Sequence, residues 1–99
     1  MPMPNNQQLI RFLRRGQNNP ITAREIAEHF DVSDRGVEVP IRDVIRQAIA
    51  DGELIGSNNH GFFLIDKEEE YENYLKSLRS RQRGISKRIR NLQNNWRNR

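Results

Sequence analysis

The sequence predicts a mostly α-helical chain with one small β-hairpin and a long C-terminal helix, and three observations carry that expectation. Apolar residues recur at helical spacing in three segments before Gly52. Two β-prone runs, Leu54-Ile55-Gly56-Ser57 and Phe62-Phe63-Leu64-Ile65, flank the turn-forming Asn58-Asn59-His60-Gly61. From Tyr71 to Trp96 an apolar seam keeps heptad spacing without a break.

Asn5 or Asn6 suits the cap of a first helix that runs to Arg15 with Leu9, Ile10 and Leu13 inward. Gly16 offers a left-handed stop, and Gln17-Asn18-Asn19-Pro20 reads as a loop. Thr22-Ala23-Arg24-Glu25 is a capping box, in which the hydroxyl and the carboxylate each serve the other residue's amide. The helix after it presents Ala23, Ile26, Ala27 and Phe30 on one face, and Asp31-Val32-Ser33 is a tight turn in which Ser33 can cap the next element. Pro40 is expected to push Val39 out of helical geometry, so the third helix is placed at Pro40 to Asp51. Ile41, Val44, Ile45, Ala48 and Ile49 form its inward stripe, Arg42, Asp43, Arg46, Gln47 and Ala50 face out, and Gly52 ends it. A hairpin over Glu53 to Ile65 comes after it, its tip rich in residues that tolerate positive φ. The order helix, helix-turn-helix, hairpin is that of a winged helix-turn-helix domain, expected over residues 1–65, with residues 66–99 as a long, basic, coiled-coil-like helix.

With 99 residues, 34% hydrophobic and 30% charged, the chain has room for one small domain and little for an enclosed catalytic cavity. It holds no cysteine, which excludes disulfides and cysteinyl zinc. His29 and His60 lack carboxylate partners at metal spacing, and no Ser-His-Asp set or phosphate-cradling glycine loop is present. The expectation is a non-enzymatic protein with no metal and no cofactor. The polar start and the shortness of the longest apolar run, Phe62 to Ile65, predict no signal peptide, no membrane span and a soluble, cytoplasmic protein.

The net charge of +4 is unevenly spread. Residues 1–65 carry seven Arg against eight acids, residues 66–78 two Lys against five acids, and residues 79–99 eight Arg or Lys and no acid. Such a tail implies an anionic partner, most often nucleic acid. The candidate DNA-binding residues are Arg24, Ser33, Arg35, Arg42, Arg46 and Gln47 in the helix-turn-helix, Asn58, Asn59 and His60 at the hairpin tip, and Arg79, Arg81, Arg83, Lys87, Arg88 and Arg90 in the tail. Arg can chelate guanine O6 and N7 and Gln suits adenine, so Arg42, Arg46 and Gln47 would supply base preference. Arg24, Arg35 and the tail would supply phosphate contacts. Arg42, Asp43 and Arg46 equally fit a solvated face exchanging surface ion pairs, and the tip residues fit a turn chosen for conformation alone.

Tyr71, Leu75, Leu78, Gln82, Ile85, Ile89, Leu92 and Trp96 are spaced 4, 3, 4, 3, 4, 3 and 4 apart. Tyr71, Tyr74, Leu75 and Leu78 are expected to cover the Phe62 and Leu64 face of the hairpin. Leu78, Gln82, Ile85, Ile89, Leu92 and Trp96 are expected to meet another chain, with Gln82 setting register. A basic, partly frayed helix in a monomer fits the same residues, and Glu68-Glu69-Glu70 reads as the solvated, dipole-favoured start of that helix.

Ile21-Thr22-Ala23-Arg24-Glu25-Ile26-Ala27-Glu28-His29-Phe30 with Val32-Ser33 is similar to the helix-turn-helix opening of many bacterial winged-helix regulators. Ile41-Arg42-Asp43-Val44-Ile45, Gly52, Ile55-Gly56-Ser57, Gly61-Phe62-Phe63-Leu64 and Leu78-Arg79-Ser80-Arg81 extend the likeness. Together they resemble the small winged helix-turn-helix DNA-binding proteins of bacteriophages and prophages, in which the wing precedes an L-R-S-R helix. The resemblance implies a double-stranded DNA-binding homodimer that regulates phage transcription or marks a replication origin. The alternative is a protein–protein adaptor in a replication or packaging complex, with the basic helix as a nucleic-acid tether.

Overall fold

The computed structural model describes residues 3–32 and 38–99 of the chain, in the order α1 (Asn6–Phe12), α2 (Ala23–His29), α3 (Glu38–Ala50), β1 (Ile55–Asn58), β2 (Gly61–Leu64) and α4 (Glu68–Arg97). The structure is mostly helical, with one small antiparallel hairpin and a long C-terminal helix, as the sequence predicts.

Asn5 caps α1: its side chain accepts the Gln8 N–H at 2.9 Å, and the Gln8 side chain accepts the Asn5 N–H at 2.9 Å. The sequence places the end of this helix at Arg15, but it stops at Phe12 with Leu13 already extended. The hairpin takes the backbone beyond that point. The Leu64 N–H donates to the Arg14 carbonyl at 2.8 Å, and the Gly16 N–H donates to the Leu64 carbonyl at 2.9 Å. A helix continuing through Arg15 would withhold those groups. Gly16, at φ +96°, therefore shapes a bend beside β2 and not a helix cap.

Thr22 and Glu25 form the expected capping box on α2, with the Glu25 N–H donating to Thr22 Oγ1 at 3.1 Å and the Thr22 N–H to Glu25 Oε1 at 3.2 Å. At its other end the Val32 N–H donates to the Ala27 carbonyl and the Asp31 N–H to the Glu28 carbonyl, with Asp31 at φ 55°. This is a Schellman ending with an aspartate in the left-handed position. The Phe12 ring stacks on His29 with centroids 3.9 Å apart, which ties α1 to α2. Ser33, expected as the next cap, and Arg35 lie outside the described residues.

α3 begins two residues before Pro40, so Val39 is helical and the expected break is not there. Pro40 falls in the first helical turn, where a missing N–H leaves no intrahelical bond unmade. Gly52, at φ +111°, closes the helix, its N–H donating to the Ile49 carbonyl and that of Glu53 to the Ala48 carbonyl, each at 3.0 Å.

β1 and β2 pair in the register Ile55↔Leu64 to Asn58↔Gly61, so Asn59 and His60 form the tip. Ile21 exchanges two 2.8 Å backbone bonds with Phe62 on the free edge of β2. Leu9 from α1 and Leu13 just after it, Ile21, Ala23, Ile26 and Ala27 from α2 and its lead-in, Ile41, Ile45 and Ala48 from α3, and Ile55 form the core, with Phe62 and Leu64 packed against it. Ile49, expected in the inward stripe, is 39% exposed.

Strand alternation turns Phe63 to the opposite face of the hairpin, where it is buried over Gly56. That corrects the expectation that α4 covers Phe62 and Leu64. The main core has already taken those two, and Phe63 shares a shallow recess with Glu70, Asn73 and Tyr74 of α4. Tyr74 and Leu75 are half-buried, while every residue from Lys76 to Arg99 is exposed.

Glu70 anchors this helix. Glu70 is 7% exposed, and its carboxylate accepts backbone N–H bonds from Gln17 at 2.7 Å, Asp66 at 2.8 Å and Lys67 at 3.2 Å. The sequence reads Glu70 as solvated, like Glu68 and Glu69. Its place three residues after the cap position is what turns it back toward the unpaired N–H groups. Among the described residues no helix is long and apolar enough to cross a membrane.

Candidate nucleic-acid interface

An open groove of about 700 Å³ lies between the start of α2, the outward face of α3, the hairpin tip and α4. Arg24 enters it from α2, Arg42 and Arg46 from α3, and Arg81 from α4, with Ser57, Asn58, Asn59 and His60 along the hairpin side. Ile45, Ile49, Phe62 and Tyr74 supply apolar lining, and among the described residues no carboxylate lines it. Four guanidinium-bearing side chains around a concavity that no described carboxylate lines have the charge and geometry to attract an anion.

Local structure explains each placement. The Thr22–Glu25 box fixes where α2 starts and so where Arg24 points out. The Ile21–Phe62 bridge then holds that start beside the hairpin tip. Arg42 and Arg46 are one helical turn apart on α3 and share its exposed face. Arg46 Nη1 lies 3.2 Å from Asp43 Oδ1, an ion pair with both side chains largely in water. Such pairs contribute about 0–1 kcal/mol, so this one leaves Arg46 able to turn toward a stronger anion.

The remaining candidates divide. Asn58 lines the groove but is committed to the fold: its amide donates to the Gln17 carbonyl at 3.0 Å and its oxygen accepts the His60 N–H at 2.8 Å. Asn59 and His60 are exposed at the tip. Gln47 does not line the groove; its amide donates to Asp51 Oδ1 at 3.0 Å, and Asn6 donates to the other oxygen at 2.9 Å. Those two bonds, that from Asn6 first, hold the Asp51 carboxyl below its ordinary value. Arg79 and Arg83 lie with Tyr71, Leu75 and Lys76 around a different part of α4, and Lys87, Arg88 and Arg90 are on its projecting half.

The sequence treats the tail cations alike, yet Arg81 is the tail cation that lines the groove. The available signal is that Tyr74 and Arg81 are two turns apart, so once Tyr74 packs on the hairpin Arg81 falls on the same side. Along the seam, Ile85 is 48%, Ile89 52%, Leu92 62% and Trp96 67% exposed, and Leu78 and Gln82 are exposed with them. The Arg99 guanidinium lies 3.5 Å over the Trp96 ring. Among the described residues no three His, Asp or Glu side chains are grouped to hold a metal ion. No family model, curated protein or solved structure matches this chain.

Proposed function

We propose that the chain is a winged helix-turn-helix protein that binds double-stranded DNA without a cofactor and acts as a dimer through α4. The observation that carries this reading is the convergence of Arg24, Arg42, Arg46 and Arg81 with the hairpin tip on one groove that no carboxylate of the described residues lines. The mechanism is electrostatic and geometric, with no bond made or broken. α3 lies in the major groove, where Arg42 and Arg46 reach base edges, most favourably guanine O6 and N7. Arg24 and Arg81 neutralise phosphates and release counterions, which supplies salt-dependent affinity and register. Asn59 and His60 approach the adjacent backbone through neutral hydrogen bonds. The resemblance of its motifs to those of phage and prophage proteins supports transcription regulation or origin marking as the setting of this activity.

Selection from random duplexes, then fluorescence anisotropy at two salt concentrations, tests the reading with the full chain. A recurring two-fold site bound about 10³-fold or more tighter than scrambled duplex is expected. Binding that selects nothing and vanishes with salt would overturn it and favour the adaptor reading, in which the basic helix only tethers.

A further inference from the structure

Among the described residues, none is packed over the part of α4 beyond the hairpin. Every residue from Lys76 onward is exposed, yet a seam of apolar side chains continues to Trp96. Most helical stability in proteins comes from packing of an apolar face and not from propensity, and Gly84 in the middle weakens this helix further.

We infer that α4 pairs antiparallel with α4 of a second copy, in one register. The seam spacing of 4, 3, 4, 3, 4, 3 and 4 reads the same from both ends, as a two-fold axis across the helix requires. With the axis between Gln82 and Ile85, the layers are Tyr71 with Trp96, Leu75 with Leu92, Leu78 with Ile89, and Gln82 with Ile85 of the other copy. All eight seam residues are then covered, over about 39 Å of helix. Moving the axis half a heptad onward, to lie between Ile85 and Ile89, leaves Tyr71 and Leu75 without seam partners.

Charge decides the direction. α4 begins with Glu68 and Glu69 and carries no acid from Arg79 to its end. A parallel pair sets eight cations beside their own copies, whereas the antiparallel pair brings Arg97 and Arg99 of one copy beside Glu68 and Glu69 of the other. Like-charge approaches remain about the two-fold axis, where Arg88 of the second copy lies level with Arg79 and alongside Arg81. Because Arg81 lines the groove, that approach adds a cation to the groove's edge, and a bound polyanion relieves the repulsion. This inference rests on the dimer part of the proposed function and is independent of what the groove binds.

The chain has no cysteine, so engineered thiols report on pairing without background. Full-length Leu78→Cys and Ile89→Cys chains are mixed without DNA and oxidised. A disulfide joining position 78 to position 89 is expected to dominate, because only that pair comes within bridging distance. A disulfide of 78 with 78 means parallel pairing, and no disulfide with a monomer mass by light scattering means no pairing; either overturns the inference. A second readout keeps the two directions distinct. Arg97→Glu with Arg99→Glu should weaken the dimer about tenfold if the helices are antiparallel, and change it little if they are parallel, because like charge then still faces like. A dimer that cross-links 78 to 89 but ignores duplex DNA sinks the DNA reading alone. A monomer that still selects a duplex sequence sinks the pairing alone.

Discussion

The Glu70 carboxylate accepts the Gln17 backbone N–H at 2.7 Å, joining the first turn of α4 to the loop that leaves α1. Two further N–H groups, those of Asp66 and Lys67, close on its other oxygen. One side chain thus satisfies the start of the long helix and fixes its position on the hairpin. With Tyr74 packed one turn later, the direction of α4 is set, and Arg81 is carried to the groove.

The anchor makes stability depend on acid pH. The Gln17 N–H first and the Asp66 N–H second hold the Glu70 carboxyl below its ordinary value of 4.5, while burial acts the other way. The folded-state value is depressed, so the stabilisation is present above 4.5 and is lost as pH falls through the lower folded value. Asp51, lowered by Asn6 and then Gln47, acts in the same direction. Thermal melts from pH 7 down to about pH 3 should show Tm falling below the ordinary carboxylate range. Glu70→Gln should lower Tm at neutral pH, since its amide turns a donor toward an N–H group, and should flatten the acid limb. Asp51→Asn should remove a separate part of that limb. An unchanged Tm and limb in Glu70→Gln would show that the carboxylate anchors nothing.

Gly61 is where the hairpin meets the lead-in to α2. Its φ is +138°, and a Cβ there would lie 2.5 Å from the Ile21 carbonyl carbon. Neither backbone can yield without breaking the paired Ile21–Phe62 bonds. Gly61→Ala should therefore cost at least about 1–3 kcal/mol by crowding alone. Urea unfolding checks this, and the Ile21 and Phe62 amides should lose hydrogen-exchange protection first.

Much of the fold was legible because its signals are local. Thr22 with Glu25, Gly52, and the Asn-rich tip each name their own element, and the heptad seam names α4. What the sequence misplaced depends on partners far along the chain. The end of α1 is decided by the demand of Leu64 for the backbone of Arg14 and Gly16, which no window around Arg15 contains. Alternation separates Phe62 and Leu64 from Phe63 but does not say which face meets α4; the main core decides that. In the candidate site, Arg24, Arg42 and Arg46 were legible as outward cations. Arg81 was not singled out, because its place depends on how Tyr74 docks. Gln47 looked equally outward, but Asp51 occupies its amide.

The groove arginines should separate by experiment. Arg46→Ala removes a side chain aimed from α3 and should relax base preference by about 1–3 kcal/mol while leaving scrambled duplex nearly unaffected. Arg81→Ala should weaken all sequences together and reduce the salt slope by about one unit. Anisotropy titrations of both variants on selected and scrambled duplexes read the difference. Equal losses on both duplexes for Arg46→Ala would remove its base-reading role.

Gly84 tests whether the projecting helix limits pairing. It lies inside α4, a Cβ there would meet nothing within 4 Å, and glycine at such a position costs about 0.5–1 kcal/mol relative to alanine. Gly84→Ala should raise helical ellipticity and protect amides beyond Arg79, without moving the melt of the core built on Leu9, Ile26 and Ile41. If helix formation and pairing are coupled, each chain gains up to roughly a five-fold shift toward the ordered helix, and the dimer tightens accordingly. Sedimentation at several concentrations reads that change. A weaker dimer would mean that the second helix approaches α4 at Gly84 itself, where only a residue without a side chain lets the backbones close.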